Sequence, residues 1–340
     1  MSASASTPPA HAAGSDTSHA ARVRAGGWSV VVGVALLGVK FYAYRLTGSA
    51  AILSDAMESI VNVAAAAVAL GALVVASWPA DRNHPYGHGK VEFMTAAFEG
   101  GLIAFAALLI IAEGIASWIG GQDIRALDHG IALTLVAGTA NYILGAFLIR
   151  VGRQQSSVTL VADGKHVQAD FWTSAGVAVG LGLVILTGRT WLDPLVAILV
   201  GVNLARTGWQ LVREAAGGLL DEEDPALLRH ILDAITRARV PGVIRVHFLR
   251  AIRSGNFRHV DAHLVVPEYW SVERAHDLAD ELEQRVTNAM IGEAEIAFHI
   301  DPCRRSYCSE CDVADCPIRL QPFVALRPIT LEEATRPDTP

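Results

Sequence analysis

Charge is what this chain has least of. Only 18% of its 340 residues are Asp, Glu, Lys or Arg, while 52% are hydrophobic and the mean hydropathy is +0.36. That balance is too apolar and too unevenly charged for an ordinary soluble enzyme. A basic excess is missing too. The formal net charge of −7 argues against nucleic acid as a partner, because nucleic-acid binders present a basic face. Cysteine is scarce and crowded. All four lie between Cys303 and Cys316, so no disulfide framework runs through the chain, and a reducing compartment is their natural home. Neither a His-Glu-x-x-His nor a Gly-x-Ser-x-Gly string occurs, which leaves an intramembrane protease or a serine hydrolase without its signature. The chain is not expected to be an enzyme.

What is abundant is long apolar sequence. Six runs, at about 26–46, 50–77, 92–119, 130–150, 160–187 and 191–211, reach the roughly 20 residues that cross a bilayer. Lys40, Glu99 and Glu113 fall inside these runs, and charges so placed face the interior of a helix bundle. Arg22, Arg24, Arg82, Lys90, Arg150, Arg153 and Arg213 fall on one side of the six spans, against Arg45, Arg125 and Arg189 on the other. The richer side is expected to be cytoplasmic, which with an even number of spans places both termini there. Residues 1–21, rich in Ala, Ser, Thr and Pro, read as a disordered tail. No cleavage site follows the first apolar run, which argues against a signal peptide.

Two of the spans carry polar faces. His166 and Asp170 are four apart, so a helix stacks them on one side, with Asp163 three residues before. Asp55, Glu58 and Asn62 form a second face in the second span. A charge in the apolar part of a membrane costs several kcal/mol unless it is paired, hydrated or bound. Imidazole and carboxylate together suit a first-row divalent metal. Two matched half-sites therefore point to one ion held between two helices, against the alternative of polar groups hydrogen-bonded across a bundle.

After Arg213 the pattern changes. Residues 225–238 have helical spacing, 243–252 and 259–266 read as strands, and 271–290 form a helix with Ser271 as N-cap. A third strand covers 295–300. The order α-β-β-α-β describes a small, ferredoxin-like α+β domain. Six of the twelve His lie beyond residue 225. The expected domains are a tail over 1–21, a six-span transmembrane domain over 22–212, a cytoplasmic domain over 213–301 and a Cys-cluster with polar tail over 302–340.

Three stretches carry a family resemblance. Gly48-Ser49-Ala50-Ala51-Ile52-Leu53-Ser54-Asp55-Ala56-Met57-Glu58-Ser59-Ile60-Val61-Asn62 and Val161-Ala162-Asp163-Gly164-Lys165-His166-Val167-Gln168-Ala169-Asp170 resemble the second and fifth helices of the cation diffusion facilitator family of divalent-metal exporters. Asp81-Arg82-Asn83-His84-Pro85-Tyr86-Gly87-His88-Gly89-Lys90-Val91-Glu92 resembles its most recognisable loop. The resemblance runs from about residue 25 to residue 301. It implies a homodimer in the plasma (inner) membrane that exports a divalent cation in exchange for protons. It assigns the transport site to Glu58, Asn62, His166 and Asp170, and a loop site to Asp81, His84 and His88. It also implies a binuclear regulatory site of His247, His263, His276, His299 and Asp301, and a dimer interlock of Lys90 and Asp221.

The chain departs from the family at Glu58 and Asn62, where many zinc exporters have His or Asp and then Asp. Asn supplies a neutral oxygen, a harder and weaker ligand. Zinc is the first choice of cargo, with manganese, iron, cobalt, nickel and cadmium as alternatives. Cys303, Cys308, Cys311 and Cys316 lie beyond the resemblance. Four thiolates in so short a segment fit a closed zinc site, a [4Fe–4S] cluster, or four free redox-sensitive thiols. A membrane-bound metal sensor without transport is the competing function.

Overall fold

The computed structural model describes residues 12–47, 50–120, 130–189, 191–290 and 293–336. The chain divides into two compact units, one ending at Leu220 and the other beginning at Asp221. The first consists of six long helices: α1 (Ala12–Thr47), α2 (Ala50–Ala76), α3 (Val91–Gly120), α4 (Gly130–Gln154), α5 (Val158–Thr187) and α6 (Leu192–Leu219). α1 begins well inside the stretch expected as a tail. Ala12, Ala13, Ala20 and Ala21 favour helix there, and Arg22 follows, buried among neighbouring helices.

Polarity in this unit is inverted relative to a water-soluble bundle. Val31, Phe105, Leu108, Val136, Ile143, Leu199 and Trp209 point outward, whereas Arg22, Lys40, Glu92, Glu99, Asp163 and His166 are buried. Among the described residues, four stretches are long and apolar enough to cross a membrane: His19–Tyr42, Ser59–Ala76, Val91–Gly120 and Leu192–Leu219. They belong to α1, α2, α3 and α6.

Two pairs of helices cross with little more than hydrogen atoms between their backbones. A Cβ on Gly208 of α6 would lie 2.7 Å from the Gly100 carbonyl oxygen of α3. A Cβ on Gly164 of α5 would lie 2.7 Å from the Gly145 oxygen of α4. Where the solvent is as apolar as the side chains, close van der Waals packing holds helices together, and small residues permit it. Phe93, Ile103, Leu204 and Leu211 seal the first crossing; Leu144, Leu148, Leu160 and Val167 seal the second. Ser157 caps α5, accepting from the Leu160 N–H, and Gly188 ends it in the left-handed conformation, φ 69°.

The second unit is α7 (Pro225–Ala238), β1 (Arg245–Ser254), β2 (Phe257–Val266), α8 (Val272–Ala289), β3 (Glu293–Pro302), a 3-10 turn at Arg305–Glu310 and α9 (Leu331–Ala334). Asp224 caps α7 through the N–H groups of Ala226 and Leu227, with Pro225 at the first helical position. Ser271 caps α8, as the sequence pattern implies. β2 is the central strand, antiparallel to β1 and parallel to β3. Val260, Ala262, Leu264 and Val266 turn to one face and meet Leu228, Ile231 and Ile235 of α7 and Leu282 and Val286 of α8.

This unit takes in more chain than its expected bounds. α6 runs on to Leu219, so a boundary at residue 213 would fall inside a helix. The stretch after residue 302 is packed rather than a free tail. Ala334 is fully buried in the same core, and Arg239 donates to the Arg327 carbonyl at 3.1 Å.

The crossing of α4 and α5 can be tested directly. In Gly164→Ala the new methyl meets the Gly145 oxygen and the Ile149 nitrogen, backbone atoms that cannot rotate aside. The variant is expected to lose about 1–3 kcal/mol, the usual cost of overpacking, and its Tm in detergent should fall. Gly101→Ala, whose methyl meets nothing within 4 Å, should not lower Tm. Equal Tm values for the two variants would show that the crossing is not close.

Candidate metal centres

In the membrane unit, α2 and α5 bring three of the four expected transport residues into one hydrogen-bonded set. The Asn62 Oδ1 lies 3.2 Å from His166 Nε2, and the Asn62 amide nitrogen donates to Asp170 Oδ2. Asn62 therefore bridges imidazole and carboxylate. Glu58 stands one helical turn before Asn62 on α2, and its side chain lies outside the described residues, as does that of Asp55. A fourth group was not expected. Asn141 of α4 donates its amide to the same Asp170 oxygen at 3.3 Å. Its only sequence signal is being a lone amide in an apolar run.

Two further carboxylates are buried in this unit. Asp163 and Glu99 are 1% and 0% exposed, with Ser29 beside Asp163. Glu92 is a third. Its carboxylate accepts from Arg22 at 2.9 Å and from the Ser157 hydroxyl, tying α1 and the start of α5 to α3.

The loop between α2 and α3 gathers Asp81, His84 and His88, with one donor atom from each inside a span of 4.8 Å. Asp81 organises the turn, accepting from the backbone N–H groups of Asn83 at 2.8 Å and His84 at 2.6 Å. The His84 N–H is the main reason its carboxyl sits below the ordinary range. A carboxylate held ionised beside two imidazoles, with rings 4.3 Å apart, offers a shallow cation site.

In the second unit, register builds the site. His247, His263 and His299 face one another across β1, β2 and β3, one row on one face of the sheet. This is the face opposite the helices. A bulge lies between His247 and Arg250, with Phe248 at φ 52°. The extra residue lets Val246 and Leu249 both reach the core while His247 stays with the row. Asp301 lies two residues beyond His299, on the same side. Its Oδ2 is 3.1 Å from His247 Nε2 and 3.0 Å from His263 Nδ1, and its Oδ1 is 3.6 Å from His299 Nε2. The carboxylate thus presents one oxygen to two imidazoles and the other to a third, an arrangement able to bridge two ions. His276 is not brought to this row. It projects from α8 on the helical side of the sheet and pairs with Asp280 at 3.5 Å.

Lys90 and Asp221, the expected interlock, fall in different units. The four Cys line one small pocket beside β1 and the end of β3, with Cys308 and Cys311 buried. Burial pushes the Cys303 thiol up. The thiols are not drawn together as closely as the two His–Asp groups.

A bundle with a carboxylate–imidazole set between its helices, joined to an α+β unit with a His row, defines a metal-handling membrane protein. Residues 28–220 match the cation efflux transmembrane domain, and residues 224–303 match the cytoplasmic domain of cation efflux proteins. The chain is 38% identical over 275 residues to an uncharacterised transporter of Synechocystis sp., covering 81% of this chain and 88% of the relative. It is 31% identical over 274 residues to the cation-efflux pump FieF of Pectobacterium atrosepticum, covering 81% and 90%. Against the Escherichia coli pump of the same name it is 32% identical over 269 residues, covering 79% and 88%. The chain belongs to the cation efflux, or cation diffusion facilitator, family of metal exporters. It is a multi-pass membrane protein, and its relatives are transporters rather than enzymes.

The second unit has its own core, so a fragment over 221–340 is expected to fold and to bind a divalent cation. His263→Ala should weaken that binding at least about tenfold, ~1.4 kcal/mol, because it removes the centre of the row. His276→Ala should leave the affinity of the monomeric fragment unchanged. Binding should also weaken on acidification, because protons and the cation compete for the same imidazole nitrogens. Titration calorimetry measures all three. Wild-type affinity in His263→Ala would mean that the row does not hold the ion.

Proposed function

We propose that this protein exports a divalent transition-metal cation from the cytoplasm in exchange for protons, working as a homodimer in the plasma (inner) membrane. Six spans would place both termini in the cytoplasm. The observation that carries the reading is the joining of Asn62, His166 and Asp170 by hydrogen bonds between α2 and α5. With Glu58 one turn away, two carboxylates and a neutral imidazole supply a charge of −2 to balance a divalent ion. The direction of transport rests on relatives named as cation-efflux pumps.

The same atoms can bind metal or protons. An ion needs His166 neutral and Asp170 ionised, so protonating them from the outer side discharges the site. Alternating access around a site near the midplane, as in other secondary transporters, would expose it to one side at a time. The Asn62 and Asn141 amides both donate to Asp170, the carboxylate that a cation would use. Asp81, His84 and His88 would capture ions outside the pore. His247, His263, His299 and Asp301 would sense cytoplasmic metal, and His276 would complete the second ion's ligands only if another group, such as the second copy, brought it near. Lys90 and Asp221 would lock the dimer close to the membrane.

A sensor without transport remains the alternative, favoured by the His row alone. Flux decides between them. Reconstituted protein is expected to move zinc in exchange for protons running down their gradient, and Asp170→Ala should abolish this while remaining folded and inserted. Zinc flux equal to wild type in Asp170→Ala would place the site elsewhere, and no flux in wild type with any divalent cation would favour the sensor.

Selectivity gives a separate test at Asn62. Asn62→Asp adds a negative charge in a poorly screened region, so every divalent cation should bind more tightly. The gain should favour zinc, which accepts four-coordinate imidazole and carboxylate ligands readily, over manganese and iron, which tolerate neutral oxygen and water. Competitive transport of zinc against manganese and iron measures the shift. An unchanged ratio would mean that Asn62 is not a ligand.

A further inference from the structure

We infer that Cys303, Cys308, Cys311 and Cys316 form a tetrathiolate site for a thiophilic metal that braces the C-terminal end of the cytoplasmic unit. The family domains end at residue 303, so this site is an addition to the shared scaffold and independent of the transport reading.

The first observation is convergence. Cys303 follows β3, Cys308 is in the 3-10 turn, Cys311 comes directly after it, and Cys316 lies on the next turn, yet all four line a single small pocket. Its remaining walls include Ile244, Pro267, Tyr307 and Ile318. Apolar walls of this kind exclude water and strengthen binding of a metal by thiolates.

The second observation is how the loop is held open around the pocket. The Arg319 guanidinium donates to the carbonyls of Cys308 at 2.9 Å, Cys311 at 3.0 Å and Val313 at 2.5 Å. Arg305 donates to the Ile318 carbonyl at 3.0 Å. Two cations therefore template the loop and stand beside the thiols, where they would offset the negative charge of a four-thiolate centre. The backbone N–H of Leu320 points at Cys308 Sγ, 3.5 Å away. Outer hydrogen bonds to sulfur of this kind orient and tune metal thiolates.

The third observation is what the segment lacks. Around Cys311 the buried apolar cluster contains only Ile244 and Val265 besides the cysteine itself. So small a core adds little to the arginine hydrogen bonds that hold this irregular segment, and small scaffolds of this kind use disulfides or a metal as further staples. The four Cys are free thiols, and a reducing compartment would keep them so. Binding of a divalent ion would be written M²⁺ + 4 RSH → [M(SR)₄]²⁻ + 4 H⁺, with no oxidant or reductant required. A single zinc ion, with bonds of roughly 2.3 Å, would draw the loop inward. An iron–sulfur cluster, which places each thiolate on a different iron, would fill a wider space.

The site would also steady its neighbour. Cys303 is two residues from Asp301, and Cys303, Asp301 and His247 line one cleft. Anchoring Cys303 would hold the end of β3, and with it the Asp301 carboxylate, in the geometry described above.

The test uses full-length protein purified without oxygen and washed with a mild chelator. Metal content, acid-labile sulfide and visible absorption are then measured. Wild type is expected to retain metal that His263→Ala also retains and Cys316→Ser loses. Zinc without sulfide would identify a single ion; iron with equal sulfide and broad visible absorption would identify a cluster. Because a Cys variant could misfold, folded wild type is also treated with a thiol-specific mercurial, which should release the metal. Full reaction of all four thiols in washed wild type, with no metal released, would overturn the inference. Equal retention in wild type and Cys316→Ser would overturn it as well.

Discussion

A charge inside an apolar bundle must be matched, and the membrane unit is arranged around that requirement. An isolated ion there costs several kcal/mol, and several of the buried polar groups are joined to another helix. Arg22 of α1 meets Glu92 of α3, whose second oxygen takes the Ser157 hydroxyl at the head of α5. Lys40 donates to Ser59 at 2.7 Å, tying α1 to α2. These contacts fix which helices are neighbours, and the glycine crossings fix how closely they approach. The Asn62–His166–Asp170 set uses the same rule with a difference. Its bonds are made by an amide, an imidazole and a carboxylate, so here the matched groups are all of types able to hold a cation.

The second unit solves a different problem. Its core takes one face of a three-stranded sheet, which leaves the other face free to carry polar side chains. In-register pairing turns three histidines distant in sequence into one row, and Asp301 supplies both its oxygens to that row. The bulge at Phe248 reconciles the two demands, since an uninterrupted β1 could not send both Val246 and Leu249 to the core. The core residues and the His row therefore share the same strand without sharing a face.

The ends of the chain illustrate how far local pattern reaches. Alanines at the start extend α1 beyond the apolar run, because helix propensity does not stop where hydrophobicity does. Past β3, polar sequence is tied to the rest of its unit through Arg239 and Arg245 and folded on itself through Arg319 rather than hanging free. Hydrogen bonds from arginine to backbone carbonyls hold such a segment, and they leave little trace in hydropathy.

Composition and periodicity alone determined that this is a membrane protein with long apolar helices, followed by an α-β-β-α-β domain. Both are local properties, written in runs of about 20 apolar residues and in spacings of two or four. The helix spacing also placed His166 and Asp170 on one face and Glu58 and Asn62 on another. Only the tertiary structure decided that Asn62 bridges the first pair, that Asn141 joins them from α4, and that His276 stands apart from the other histidines. It also decided that four cysteines on separate turns share one pocket. Each of these depends on which elements become neighbours and in what register, and that is settled by long-range packing rather than by any short stretch of chain.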